Sequence, residues 1–273
     1  MVGKLIKYDF QSFFRLLFPV QLIVIGIAGL NRIVQIFENE TSTYKTVFIS
    51  SIVLLVIACV VALVMSYVIG IVRFYQGLYS SEGYLSHSLP VTSTQHIWSK
   101  LIVSMLFECG TLLAIFIAAN VATLGEVGAE VYKAGGYVAK EIFAQVHFNG
   151  VLFLIEWLLI FLVAMASSLL MMYFCISIGQ LVNRKKLLLA FGVLFGLYIL
   201  GQILATILII LGPTLVNIEA IRTVLQDLFD WAAEHRIAAI HIASLLTLFA
   251  QSVLAFVYFL VTERIMTKRL NLS

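Results

Sequence analysis

Long apolar runs separated by short polar stretches follow one another along the whole chain, and six of the runs are long enough to cross a membrane. A bilayer core of about 30 Å takes about 20 apolar residues as helix. The runs are approximately Phe18–Phe37, Val47–Val72, Leu101–Leu124, Val151–Ile178, Leu187–Gly212 and Ile242–Thr262. The first is the weakest, because Gln21 and Asn31 interrupt it. The pattern predicts an all-α, polytopic membrane protein with six transmembrane helices.

Ahead of the first run the pattern changes. Lys4, Lys7, Gln11 and Arg15 recur at helical spacing, and Leu5, Ile6, Phe10, Phe13, Phe14 and Leu17 fill the other face. Such a stripe predicts an amphipathic helix over residues 1–17 lying in the membrane interface. Pro19 would then open the first span, since a first-turn residue needs no N–H. The alternative is that span one begins early. Two further segments, 125–148 and 213–241, mix charge with apolar residues. In the second, Ile218, Ile221, Val224, Leu225, Leu228 and Trp231 follow a helical stripe. Both segments predict short amphipathic helices at the outer surface, either capping the bundle or facing a substrate.

Orientation follows from the basic residues, which concentrate in cytoplasmic segments. With both termini inside, the inner segments hold 11 Lys and Arg and the outer segments 6. Three acidic residues then lie inside, Asp9, Glu82 and Glu263, and nine outside. Both termini are expected in the cytoplasm, and with them the segment between spans two and three.

Composition supports lipid as the main solvent. The chain has 273 residues, 62% hydrophobic and 11% charged, against about 25% charged for soluble domains. That excludes a single soluble fold, and disorder as well. A net charge of +3 is too weak to suggest nucleic acid. Cys59, Cys109 and Cys175 all lie in apolar runs, where small apolar filling explains them better than a disulfide framework. The first seventeen residues lack the uninterrupted apolar core of a cleavable signal. No internal repeat is evident, so residues 1–273 read as one membrane domain.

Enzymatic signatures are missing. There is no G-x-x-x-x-G-K-[ST] to cradle nucleotide phosphates and no H-E-x-x-H for zinc. There is no G-x-S-x-G elbow. His87, His96, His147, His235 and His241 show no ligand spacing with a nearby acid, so no metal site is expected. Two carboxylates do fall inside spans, Glu108 and Glu156. Intramembrane acids are costly and are candidates for a substrate path. Each lies roughly 10 Å deep by helical rise, from opposite membrane faces, so they are not expected to pair. Each would face a polar cavity, a helix interface or the headgroups. In span five, Gly192 and Gly196 form a small-xxx-small pair that lets helices approach closely, within the subunit or between two subunits.

The stretch SSEGYLSHSLPVTSTQHIWSK, residues 80–100, stands out as polar between two apolar runs. Ser80 or Ser81 can cap a short helix with Glu82 in its first turn. Leu89-Pro90-Val91 breaks it, and Thr92-x-x-Gln95 reads as a capping box leading straight into span three. The result is a stiff polar handle on the cytoplasmic side, placed for a soluble partner to grip.

At these residues the chain resembles a known family. Arg73-Phe-Tyr-Gln-Gly77, Glu82-Gly-Tyr-Leu-Ser-His-Ser-Leu-Pro-Val91 and His96-Ile-Trp-Ser-Lys100 look like the segment after span two in small six-span permeases of the ABC-2 type, common in Firmicutes. Gly3-Lys-Leu-Ile-Lys-Tyr8 and Lys268-Arg-Leu-Asn-Leu272 resemble the tails of those proteins. The resemblance implies a transport subunit of a bacterial cytoplasmic membrane, without enzyme activity or cofactor of its own. ATP and Mg would sit on a separate ABC ATPase, and a second permease subunit would complete the pair. It further implies that residues 73–100 carry a coupling helix, with Glu82, Gly83, Tyr84, Leu85, His87, Leu89 and Pro90 meeting the ATPase. Spans one and five would line the subunit interface, giving Gly192 and Gly196 a place there. Exported peptides, drugs or lipids are the expected substrates. The competing expectations are a self-contained channel or secondary transporter, and a membrane enzyme or sensor subunit.

Overall fold

In a computed structural model of the chain the described residues are 2–37, 41–80, 83, 91–123, 129–130, 132–137, 140, 148–182, 184–216 and 218–268. Seven long helices account for most of them: α1 (Val2–Ile36), α2 (Ser42–Tyr79), α3 (Ser93–Ala122), α4 (Phe148–Gly179), α5 (Lys186–Val216), α6 (Glu219–Glu234) and α7 (Arg236–Lys268). All except α6 are long and apolar enough to cross a membrane. No strand occurs among the described residues.

The apolar surface of these helices is largely uncovered by the chain itself. None of the most apolar window of α5 is buried, and Ile209 on it is 73% exposed. In water each such side chain would forgo about 1.5–3 kcal/mol of burial. Lipid removes that cost, so the helices need only a seam of contact with one another. The chain is a multi-pass membrane protein.

Two compact units divide it, residues 1–142 and 143–273. In the first, α1 lies against both α2 and α3, and its closest association is with α3. Asp9 meets Ser99, Gln21 meets Thr111 and Gln35 meets Ala122, at nearly constant sequence separations of 90, 90 and 87. Constant separation means that α1 and α3 run parallel. The seam is built of small and branched residues: Val24 and Ala28 of α1, Leu55 and Ala62 of α2, and Ala118 of α3. Small side chains let membrane helices approach closely. Towards the start of α1 the filling becomes aromatic, with Phe10 and Phe13 at 5.0 and 5.7 Å from Phe107.

The expected break before span one is absent. Residues 2–36 form a single helix with Pro19 inside it. The reason lies in the packing: Phe13, Leu17, Val24, Ala28 and Asn31 are buried at steps of three, four and seven, one unbroken stripe that passes Pro19. Pro19 itself is exposed, so its ring meets no neighbour on that seam. The lost bond to the Arg15 carbonyl is tolerated, as proline often is in membrane helices. Lys4, Lys7 and Arg15 are exposed, and so are Phe10 and Phe14 of the expected apolar face.

In the second unit α4 packs chiefly against α7 and less closely against α5. Glu156 meets His241, and Phe174 meets Tyr258 further along both helices, so this pair also runs parallel. Residues 219–234 form a helix, α6, as the amphipathic stripe predicts. Val224, Leu228 and Phe229 stay exposed on it. Span six begins earlier than its apolar run suggests, at Arg236, directly after His235.

Candidate functional site

Two polar arrangements stand out from the apolar seams, one in each unit.

The first surrounds the α2–α3 connection. α3 opens at Thr92, which accepts a hydrogen bond from the Gln95 amide while the Gln95 side chain accepts from the Thr92 amide. That is the capping box expected from the sequence. The next turns are buried: His96, Ile97, Ser99, Lys100 and Leu101. From here two side chains reach α1. The Ser99 hydroxyl donates to Asp9 Oδ2 at 2.7 Å, and Lys100 Nζ donates to Asp9 Oδ1 at 3.1 Å. The ion pair is largely shielded, with side chains 9% and 17% exposed for Lys100 and Asp9. To reach Asp9 the lysine passes over α2 at Gly77, where a Cβ would stand 2.5 Å from Nζ and 2.8 Å from Cε. A side chain at 77 would push the end of the lysine aside. One ion pair thereby ties α1 to α3, across the face of α2 at Gly77, beside the polar connection.

Of the residues expected in the coupling helix, Gly83 is described; Glu82, Tyr84, Leu85, His87, Leu89 and Pro90 lie outside the described residues. Gly83 is buried and donates its amide to the Ser80 carbonyl at 2.9 Å. A Cβ there would come within 2.5 Å of the Leu78 carbonyl oxygen. Gly83 therefore lies tight against the end of α2, an approach that a bulkier residue at 83 would prevent.

The same α1 seam carries a ladder of amides that the sequence marks only as interruptions. Gln21 donates to Thr111 Oγ1 at 3.1 Å. Asn31 donates to Ser51 Oγ at 2.7 Å, and Gln35 donates to Asn31 Oδ1 and to the Ala122 carbonyl at 2.8 and 2.7 Å. Glu108 sits on α3, half-buried, with Oε1 buried and without a hydrogen-bond partner among the described residues.

The second arrangement is in unit two. Glu156 Oε1 and His241 Nδ1 are hydrogen-bonded at 2.6 Å. The imidazole lies flat on Phe153, with centroids 4.1 Å apart and planes at 13°. Glu156 Oε2 and His241 Nε2 are buried and have no hydrogen-bond partner among the described residues. Sequence spacing gives no sign of this pair: 85 residues separate His241 from Glu156, and parallel packing of α4 on α7 brings the two together. Further along the same unit, Met171, Phe191, Phe195, Tyr198 and Tyr258 line an apolar recess of about 730 Å³.

Gly192 and Gly196 are exposed, and a Cβ at either would meet nothing within 4 Å. Neither mediates a close contact among the described residues. No group of three or more metal-ligating side chains occurs among them either. Sequence reasoning missed the Asp9–Lys100 pair, although it left a trace. Asp9 falls four residues from both Leu5 and Phe13, a lone acid on an otherwise apolar face that needs a buried partner.

No family model, curated protein or solved structure matches the chain.

Proposed function

We propose that the chain is the membrane-spanning permease subunit of an ATP-binding cassette exporter of the ABC-2 type. It moves its substrate, an antimicrobial peptide, drug or lipid, across a bacterial cytoplasmic membrane. A separate ATPase hydrolyses the ATP and holds the Mg ion, and a second permease subunit completes the pathway. Both termini and residues 73–100 face the cytoplasm, and the segment containing Glu82, Tyr84 and Leu85 docks on the ATPase.

The observation that carries this reading is the clamp beside the α2–α3 connection. A force applied to residues 81–90 enters α3 through a firmly capped first turn. It also enters α1 through Asp9 and Ser99–Lys100. A plain connecting loop has no use for a largely shielded ion pair that joins α1 to α3. The missing phosphate-binding motif agrees with a nucleotide site on another chain. One observation favours a second reading, a self-contained secondary transporter: the Glu156–His241 pair places ionisable groups within the spans, where such groups mark ion paths.

The test is nucleotide turnover. The purified chain alone is expected neither to bind nor to hydrolyse ATP, whereas its complex from native membranes hydrolyses ATP and transports. Transport by the chain alone in proteoliposomes, driven by an ion gradient, would favour the secondary transporter instead.

A further inference from the structure

We propose that Glu156 and His241 form a proton-binding site whose occupancy is linked to the packing of α4 on α7. A 2.6 Å contact between Nδ1 and Oε1 holds one proton along that line. With only that proton, the pair is a carboxylate beside a neutral imidazole and carries one negative charge. Oε2 and Nε2 are then two buried acceptors with no donor. A second proton, on Nε2 or on the carboxyl group, brings the net charge to zero. Burying a net charge costs far more than burying a neutral polar pair.

Among the described residues no other group supplies the balancing charge through an ion pair or hydrogen bond. On α4 the titratable group facing the site is Glu156 itself, and on α7 it is His241. α5 contributes Lys186 and Tyr198, while α6 contributes Glu219, Arg222, Asp227, Asp230 and Glu234, and His235 and Arg236 precede the site on α7. None of these forms an ion pair or hydrogen bond with Glu156 or His241. Phe153 covers one face of the ring. A metal ion is a poor alternative, since two protein donors fall short of the three or four that zinc sites use.

Oε2 and Nε2 are buried where α4 packs on α7, so the stability of a proton on either atom depends on that packing. Proton uptake and helix packing must therefore influence each other by linkage. The site stands with either reading of transport, because it depends on unit two alone.

Spin labels at Val151 and Ile240, both exposed, report the separation of α4 and α7 in the full chain in lipid nanodiscs, with the three cysteines replaced. Recorded across a pH series, the distance distribution is expected to shift between two populations. Where one proton is linked, their ratio changes by up to about tenfold per pH unit. The shift is lost in Glu156→Gln and in His241→Gln and kept in Glu156→Asp. Should one of the two neutral variants fail to fold, the other decides. A distribution that does not change with pH in the unsubstituted pair overturns the proposal. So does a shift that survives either neutral substitution.

Discussion

Lys100 reaches Asp9 across the face of α2 because residue 77 has no side chain to block it. The consequences can be measured. Removing one partner of a shielded ion pair strands the other charge, at a cost of roughly 3–5 kcal/mol. Asp9→Asn should sit at the lower end, since 17% of the Asp9 side chain is still exposed. In the double variant Asp9→Asn/Lys100→Met no charge is stranded, so thermal unfolding in detergent should show part of the stability restored. Gly77→Leu should destabilise by forcing the lysine aside, and its effect should not add to that of Lys100→Met. Additive losses would mean that residue 77 and Lys100 act separately. The amides of the α1 seam are worth less: Gln21→Leu and Asn31→Leu should each cost about 1 kcal/mol, the usual scale for hydrogen bonds between membrane helices.

Among the elements, α1 differs most from its reading in sequence. Lys4, Lys7 and Arg15 at helical spacing, followed by Pro19, describe an interfacial helix and a new start. The buried stripe from Phe13 to Asn31 makes one helix instead, because packing on α3 outweighs the one backbone hydrogen bond that Pro19 cannot make. Pro19→Ala should therefore leave stability unchanged or raise it, with slow amide exchange continuing across residues 15–23. A marked loss of stability would point to a break that the chain needs. The Thr92–Gln95 capping box was legible because both partners lie within one turn. Thr92→Ala should cost about 1 kcal/mol and speed exchange at residues 93–96. The six spans and α6 were legible for a similar reason, since hydropathy and amphipathic period are local properties. Asp9–Lys100 and Glu156–His241 were not. Their partners lie 91 and 85 residues apart, and only parallel packing of a first helix on a third brings them together. The same residues registered in sequence as isolated charges, which is how a buried partner looks before its mate is known.

For the whole molecule, the uncovered face of α5 and the handle after α2 make separate claims. Leu at 192 or 196 has open space around it within the chain, so Gly192→Leu and Gly196→Leu should leave subunit stability unchanged. If α5 lines the subunit interface, cysteine crosslinking of α5 across the pair should fall in both variants. The central claim is that residues 81–90 dock on a separate ATPase and that the clamp passes its motion to α1 and α3. Tyr84 is the residue to probe, because aromatic anchors often account for about 2 kcal/mol or more of such an interface. A photo-crosslinking amino acid at position 84 in native membranes, with the adduct identified by mass spectrometry, addresses it most directly. The account predicts an adduct with a chain that carries a phosphate-binding G-x-x-x-x-G-K-[ST] motif. It also predicts that Tyr84→Ala abolishes co-purifying ATP hydrolysis while the chain remains folded and inserted. Transport and ATPase association that are normal in Tyr84→Ala, with no nucleotide-binding chain in the adduct, would contradict it.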